Sequence, residues 1–265
     1  SSFDNHTVLN WSPLRDFFRT DKTILLSNRI PWGLVFDSTG NYINSMPKYF
    51  RPPSLNMAFD SRQYIYGLNT NHKGYYLKKL NPDGRELKRF GSFPEEYKHI
   101  IDKAVIGNDI VIDSEDYIYH KYISSPTIYK YDRKGNLVDK YSKAPSYYKP
   151  MDDDLTKYRK GGEDRIKREI LEIARNSTSN YSLHLLADNI LLIQYVNYGG
   201  YYGLQLLKSN GEYLLAEPLV IDEKVYAAKN GKLYTAKNRR FDKNNPATYL
   251  PPLVKVYELR NSVYD

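Results

Sequence analysis

Two stretches, "FDSRQYIYGLN" (59–69) and "IDSEDYIYHKY" (112–122), share an Asp-Ser pair followed by Tyr-Ile-Tyr at the same offset. Either Asp60 and Asp113 are a pair of catalytic carboxylates, or they mark one turn in two copies of a repeat. A second recurring element decides between these readings. It is an apolar or aromatic strand, a turn ending in Gly, and another strand. The copies are "GLVFDSTGNYINSM" (33–46), "LKKLNPDGRELKRF" (77–90), "IYKYDRKGNLVDKY" (128–141) and "LQLLKSNGEYLLAE" (204–217), with turn glycines Gly40, Gly84, Gly135 and Gly211. A tight hairpin demands positive φ, which Gly supplies, and a neighbouring Asn or Asp supports the turn through its side chain. Asp60 lies 24 residues before Gly84, Asp113 lies 22 before Gly135, and Asn189 lies 22 before Gly211. Each unit is therefore strand, turn, strand, a connection, then strand, Gly turn, strand. Four antiparallel strands in about 45 residues describe one propeller blade. Asp60 and Asp113 fall in equivalent turns of successive blades and read as turn residues, not as a catalytic pair.

Working outward, residues 14–46 make a first blade with weak early strands, "DFFRT" and "TILLSN". Residues 55–90, 109–141 and 183–217 make three clear blades. Residues 219–259 make a last one, with a hairpin in "KVYAAKNGKLYTA" and a third strand in "PLVKVYEL". That blade lacks an outer strand. The N-terminal "HTVLNW" (6–11) has strand composition and would supply it, closing the ring and removing open edges that invite aggregation. The expected fold is all-β: a single β-propeller over 1–265, of five or six four-stranded blades. An inserted segment, Lys143–Tyr181, interrupts the blades. In "EDRIKREILEIAR" (163–175), Ile166, Ile170, Ile173 and Ala174 share one helical face. Acidic residues lead it and Arg175 ends it, as the helix dipole prefers. The segment reads as an amphipathic helix between blades, and "PEEYKHIIDK" (94–103) as a shorter helical turn.

The composition fits this architecture. Tyr is abundant at 27, against 9 Phe and 2 Trp, and Tyr favours strands while tolerating a wet surface. No stretch approaches the roughly 20 apolar residues of a membrane-spanning helix. Net charge is +8, which permits anionic partners. The Lys and Arg are scattered, however, and no RNA-binding or zinc-finger signature is present, so no specific nucleic-acid partner is expected. Cysteine is absent, which excludes disulfides, Cys-zinc sites and thiol nucleophiles. No signal peptide is visible at "SSFDNHTVLNW".

Chemistry-bearing patterns are sparse. His6, His72, His99, His120 and His184 form no HExxH or close pair, so no metal site is expected. Different blades could still bring His72, His120 and His184 together. No GxSxG, Walker loop or GxGxxG is present. "NYGGYYG" (197–203) reads as an aromatic-rich loop, and "MDDDL" (151–155) departs from the calcium-loop pattern. Propeller glycosidases use inner-strand carboxylates flanking a sugar bond, and Asp60, Asp109 and Asp113 sit at strand ends or turns instead. What remains is a binding surface at one propeller mouth, rich in Tyr75, Tyr76, Tyr147, Tyr148, Tyr198, Tyr201 and Tyr202. Tyr adds contact area at low entropy cost.

The strand–Gly turn–strand units, above all "YYLKKLNPDGRELKRFG" (75–91) and "IVIDSEDYIYHKY" (110–122), resemble NHL-type propeller repeats. With the helix before "SLHLLADNILLIQY" and the closing "NNPATYLPPLVKVYEL", the chain is similar to the six-bladed propeller lipoproteins of Bacteroidota. The resemblance covers about 200 residues. It implies an extracytoplasmic protein at the periplasm or outer-membrane surface. Such proteins are often tethered by a lipid on a Cys beside the mature N-terminus; that Cys is not in this sequence. It implies no catalytic motif.

The expected function is that of a non-enzymatic binding or scaffold subunit of an outer-membrane-associated complex. It would use protein partners, no cofactor and no metal, and would meet the membrane only through an N-terminal lipid. Its interaction elements would be the seven tyrosines above and the helix face of Ile166, Ile170 and Ile173. The alternative is a carbohydrate-binding or carbohydrate-active propeller with its site at the central mouth, and peptide is a further ligand class.

Overall fold

The run "ILLIQYV" forms a strand, Ile190–Val196, with six of its seven residues buried. A half-solvated strand would alternate polar and apolar residues; a continuous apolar run needs cover on both faces. In a computed structural model of the chain, that cover is found. Leu191, Ile193 and Tyr195 point into one buried cluster with Tyr119, Ile128, Tyr141, Leu183 and Leu207. Ile190 and Leu192 point into another with Leu186, Leu204, Leu206, Val225 and Leu233. Each fully buried Leu or Ile contributes about 2 kcal/mol. The structure describes residues 15–18, 22–27, 30–37, 39, 41–45, 57–68, 75–82, 84–92, 109–122, 125–150, 177–187, 189–196, 201–236 and 254–258.

The chain divides into two compact units, Ser1–Gly91 and Ser92–Asp265. Unit 1 holds two four-stranded sheets, each a meander in chain order. The first runs β1 (Arg15–Phe18), β2 (Lys22–Ser27), β3 (Ile30–Asp37), β4 (Tyr42–Ser45). The second runs β5 (Met57–Phe59), β6 (Ile65–Leu68), β7 (Tyr75–Leu80), β8 (Glu86–Ser92). Unit 2 holds three more. They are β9 (Ile110–Ile112), β10 (Ile118–Lys121), β11 (Thr127–Tyr131), β12 (Leu137–Ser142); then β13 (Ser179–Ala187), β14 (Ile190–Val196), β15 (Tyr202–Lys208), β16 (Leu219–Ile221); then β17 (Lys224–Lys229), β18 (Lys232–Ala236), β19 (Val254–Glu258). All registered pairings are antiparallel. Strand β13 packs beside both β9 and β17, so the first strands of these three sheets are neighbours. The described chain is all-β.

The five expected blades correspond to these five sheets, and the last has three strands among the described residues. The helix expected at 163–175, the turn at 94–103 and the strand at 6–11 lie outside the described residues.

The expected repeat turns at Asp60, Asp113, Gly84, Gly135 and Gly211 are present, and the turn at Gly40 lies outside the described residues. Asp60 Oδ1 accepts the N–H groups of Arg62 and Tyr64 at 3.0 and 2.9 Å, and Oδ2 accepts the Tyr66 hydroxyl at 3.0 Å. Asp113 Oδ1 accepts Glu115 and Tyr117 N–H at 3.1 and 2.9 Å, and Oδ2 accepts the Tyr119 hydroxyl at 3.0 Å. Gln63 and Asp116 take the same left-handed conformation, φ 68° and 65°. On the third strand Lys79 lies over the Tyr64 and Tyr66 rings, and Lys130 lies over Tyr117 and Tyr119. Gly84, Gly135 and Gly211 have φ of 86°, 77° and 95°. Each donates its N–H to the residue three before it, Asn81, Asp132 or Lys208.

The fourth sheet departs from the repeat twice. Asn189 does not copy Asp60: Ala187 pairs directly with Ile190, so β13 and β14 meet in a two-residue turn. The stretch after Gly211 also does not run on as an outer strand. Leu207 bridges Tyr213, the chain detours, and only Leu219–Ile221 rejoins β15. The detour has a packing cause. Tyr213 leans on the cluster shared with the third sheet, while Leu214 and Leu215 lean on the one shared with the fifth. A regular strand end would leave fewer of these three apolar side chains covered.

Candidate functional site

After β12 the chain crosses the fourth sheet as an irregular strap, residues 143–150. Pro145 starts a turn there, its carbonyl accepting the Tyr148 N–H at 2.8 Å. The strap is tied at both ends. Lys143 Nζ donates to the Leu215 carbonyl at 2.8 Å, and Ser146 donates both N–H and hydroxyl to Glu217 Oε2 at 3.0 and 3.1 Å. On the other side Lys149 N–H donates to Thr178 Oγ1 at 3.0 Å, and Thr178 N–H returns to the Lys149 carbonyl at 2.8 Å. The detour after Gly211 places Leu215 and Glu217 where the strap can reach them.

Beneath the strap lie three tyrosines: Tyr147 from the strap, Tyr195 at the end of β14 and Tyr213 from the detour. Their hydroxyl oxygens are buried and make no hydrogen bond within the protein. Tyr195 is fully buried. The Lys143 amide faces the Tyr213 oxygen without forming a well-aligned bond. Tyr147 fits because residue 203 is Gly: a Cβ there would collide with the Tyr147 hydroxyl and lie 3.2 Å from Pro218 Cβ. Leaving a hydroxyl buried without a partner costs about 1–3 kcal/mol.

The electrostatics keep these phenols neutral. Burial pushes Tyr195 well above the ordinary tyrosine range, with Tyr213, Tyr147 and Tyr148 adding to it. Burial raises Tyr213 to about 12, against a smaller lowering by the Lys143 amide. Tyr147 is raised by burial and by the Glu217 carboxylate.

A second polar centre ties the last sheet together. Glu223, buried beside β17, accepts from Thr235 Oγ1 at 2.5 Å and from the Tyr257 hydroxyl at 3.2 Å on Oε2. Its Oε1 pairs with Lys255 Nζ at 2.5 Å. Burial alone would raise this carboxyl; Lys255, Thr235 and Tyr257 outweigh it and hold the group below the usual Glu value. Fully buried Gln194 extends the network, donating to the Glu223 carbonyl at 3.2 Å and accepting from Val225 N–H and the Ser182 hydroxyl, both at 3.2 Å. Every atom of Glu223 that could act on a substrate is engaged within the sheet.

The remaining sequence candidates are distributed as follows. Tyr147 and Tyr148 are half-buried in the strap, Tyr202 is buried at the start of β15, and Tyr201 beside it is exposed. Tyr75 and Tyr76 open β7, with side chains outside the described set. Tyr198, Ile166, Ile170 and Ile173 lie outside the described residues, as do His6, His72 and His99. His120 is buried on β10 and bonds the Asp109 carbonyl through Nδ1 at 3.1 Å; burial pushes its pKa down to about 3. His184 bonds the Ser182 hydroxyl at 3.0 Å. Among the described residues no group of three His, Asp or Glu side chains could hold a metal ion. Asp109 instead clamps two sheets, accepting the Leu183 N–H at 2.8 Å. Sequence reading missed Tyr195, Tyr213 and Gly203 as members of one cluster. Tyr195 stands in an apolar strand like any core aromatic, and only Gly203, in "YYG", hinted at a close approach.

Each described sheet is a meander, four of them four-stranded, and in unit 2 the first strands of the three sheets are neighbours; this is β-propeller architecture, and solved structures share the fold. An exported protein from Bacteroides fragilis superposes with a TM-score of 0.58 at 10% identity, over 84% of this chain and 66% of that one. A member of the DUF4221 family from Bacteroides vulgatus gives 0.56 at 10% identity, over 91% and 76%. An inactive variant of virginiamycin B lyase from Staphylococcus aureus, solved with quinupristin, gives 0.50 at 11% identity, over 92% and 68%. No family model matches the sequence, and no curated protein matches it.

Proposed function

We propose that this chain is a non-enzymatic binding or scaffold propeller of the bacterial cell envelope, working through protein partners. The carrying observation is how the inner carboxylates among the described residues are spent. Asp60 and Asp113 each accept three hydrogen bonds inside a turn, Glu223 is locked by three side chains, and Asp109 joins two sheets. General acid–base work needs a carboxyl free to reach a substrate proton. Strands β16 and β19, the residue just before β15 and, on β17, Tyr226 supply the opposite: exposed Leu219, Val220, Val254, Val256, Tyr201 and Tyr226. Aromatic and aliphatic side chains of this kind suit the centre of a protein interface. The envelope placement follows from the sequence resemblance. It is supported by the shared fold of a Bacteroides protein described as exported.

The helix expected at 163–175 is the candidate contact element. Tagged protein should be purified from native envelopes after mild detergent extraction, alongside an Ile170→Asp variant. A stoichiometric partner that the variant loses, with its own melting temperature unchanged, supports the proposal. A wild-type chain that purifies alone from envelopes, or that stays in the cytosolic fraction, overturns it.

A further inference from the structure

Among the described residues, the tyrosine cluster gathers three buried hydroxyls under one segment of chain. Tyr147, Tyr195 and Tyr213 present three hydroxyls that the closed strap leaves unbonded and out of reach of solvent. Turns, caps and sheet edges elsewhere in unit 2 give polar side chains good partners, as Asp113, Asp132 and Gln194 show. The ties that hold the strap to Glu217 are by contrast exposed, and exposed polar contacts release readily to water.

We infer that residues 143–150 form a lid and that, when it lifts, Tyr195 and Tyr213 beneath it and Tyr147 on the lid itself receive a neutral saccharide. This rests on the reading of the chain as a binding propeller and adds a ligand class to it. The chemistry of the cluster selects that class. Sugar hydroxyls both donate and accept, as phenol hydroxyls do, so each can satisfy the other. The flat faces of aromatic rings pack on the C–H faces of a pyranose, joining apolar body to polar rim. The two charges that border the cluster, Lys143 beside the Tyr213 ring and Glu217 beside Tyr147, are of opposite sign and offset each other whether the strap is down or lifted. A strongly anionic or cationic ligand would therefore enter without a counter-charge, at a cost that a neutral one avoids. Gly203 fits the same account. The notch it leaves accepts the Tyr147 hydroxyl when the strap is down, so it sets the closed position.

The experiment uses the full chain on a printed array of neutral glycans, followed by thermal unfolding and brief proteolysis without ligand. Three proteins are compared: wild type, Tyr195→Phe and Gly203→Ala. Wild type should retain a subset of the neutral glycans. Tyr195→Phe should weaken that retention on the order of tenfold, yet raise the melting temperature, because it deletes a hydroxyl that has no partner under the closed strap. Gly203→Ala should displace Tyr147 and speed cleavage within 143–150 while the rest of the chain resists. A blank array for wild type overturns the ligand class. A lowered or unchanged melting temperature for Tyr195→Phe shows that its hydroxyl is satisfied in solution and overturns the lid. A blank array beside an intact envelope complex removes the saccharide and leaves the proposed binding role standing. Glycan retention without any complex does the reverse.

Discussion

The Tyr119 hydroxyl donates to Asp113 Oδ2 at 3.0 Å, the same distance at which Tyr66 donates to Asp60 one repeat earlier. The match extends to two backbone bonds per carboxylate and to a lysine above the rings. Two chain segments have thus arrived at one solution for ending the first strand and starting the second.

That solution sets the cost of losing the carboxylate. Asp113→Asn keeps an oxygen for the two backbone N–H groups and leaves the Tyr119 hydroxyl free to turn and accept, so it should cost about 1 kcal/mol. Asp113→Ala strips three bonds at a buried site and should cost about 3 kcal/mol. Asp60 should follow the same order. Urea unfolding of the four variants checks this; equal losses for Asn and Ala would mean that the acceptor oxygens are not what supports the turn.

Gly211 is the least replaceable of the three turn glycines that share its hydrogen-bond pattern. At φ 95° any side chain is strained, and a Cβ there would sit 2.6 Å from the Tyr141 ring. Tyr141 is itself fixed, donating to the Ser209 carbonyl at 3.1 Å. Gly211→Ala should therefore cost about 3 kcal/mol, more than the roughly 1 kcal/mol that a positive φ alone costs an alanine, and more than Gly84→Ala. Chemical denaturation midpoints of the two variants, side by side, decide it.

Glu223 gives the fold an acid-sensitive joint. Its folded pKa lies below the unfolded value of 4.5. Its stabilising contribution is therefore complete above pH 4.5 and is lost as pH falls through the folded value. Asp113 runs the other way. Burial raises its folded pKa above 3.8, so its contribution is most favourable at low pH and declines as pH rises through the folded value. Stability measured from pH 6 downward should fall less steeply in Glu223→Gln than in wild type. A steeper or identical fall would show that the Lys255 pair does not hold in solution.

Glu217 holds the strap from an exposed position. Glu217→Ala should cost less than about 1 kcal/mol in global unfolding, yet it should raise the rate at which a protease nicks residues 143–150. Mass spectrometry of early fragments would locate the cut. Unchanged nicking would mean that Lys143 and Thr178 suffice to hold the strap.

The repeat was legible because its determinants are local. The turn Asp reaches a Tyr six residues on, and each hairpin Gly bonds the residue three before it, so spacing alone exposes them. The fourth sheet was less legible for the opposite reason. The 22-residue spacing from Asn189 to Gly211 matched the repeat, but the Ala187–Ile190 turn and the detour at Tyr213 are set by packing against neighbouring sheets. Tyr195, Gly203 and Tyr147 come from three separate segments, and nothing in any one of them signals the other two. Glu223, beside the start of β17, similarly gives no sign in sequence of its pairing with Lys255, 32 residues on.

Every described sheet is wound from strands in chain order, so each hydrogen-bonded ladder joins segments already close along the chain. Low sequence separation between partners favours rapid folding. During synthesis, β9 to β12 can pair before β13 has left the ribosome, and domains generally form in that vectorial fashion. The exception is the Ile190–Val196 strand, whose two faces wait for sheets on either side. Until the fifth sheet arrives, its Ile190 and Leu192 face is uncovered, and that interval is the moment at which a nascent chain of this design is most exposed to misassociation.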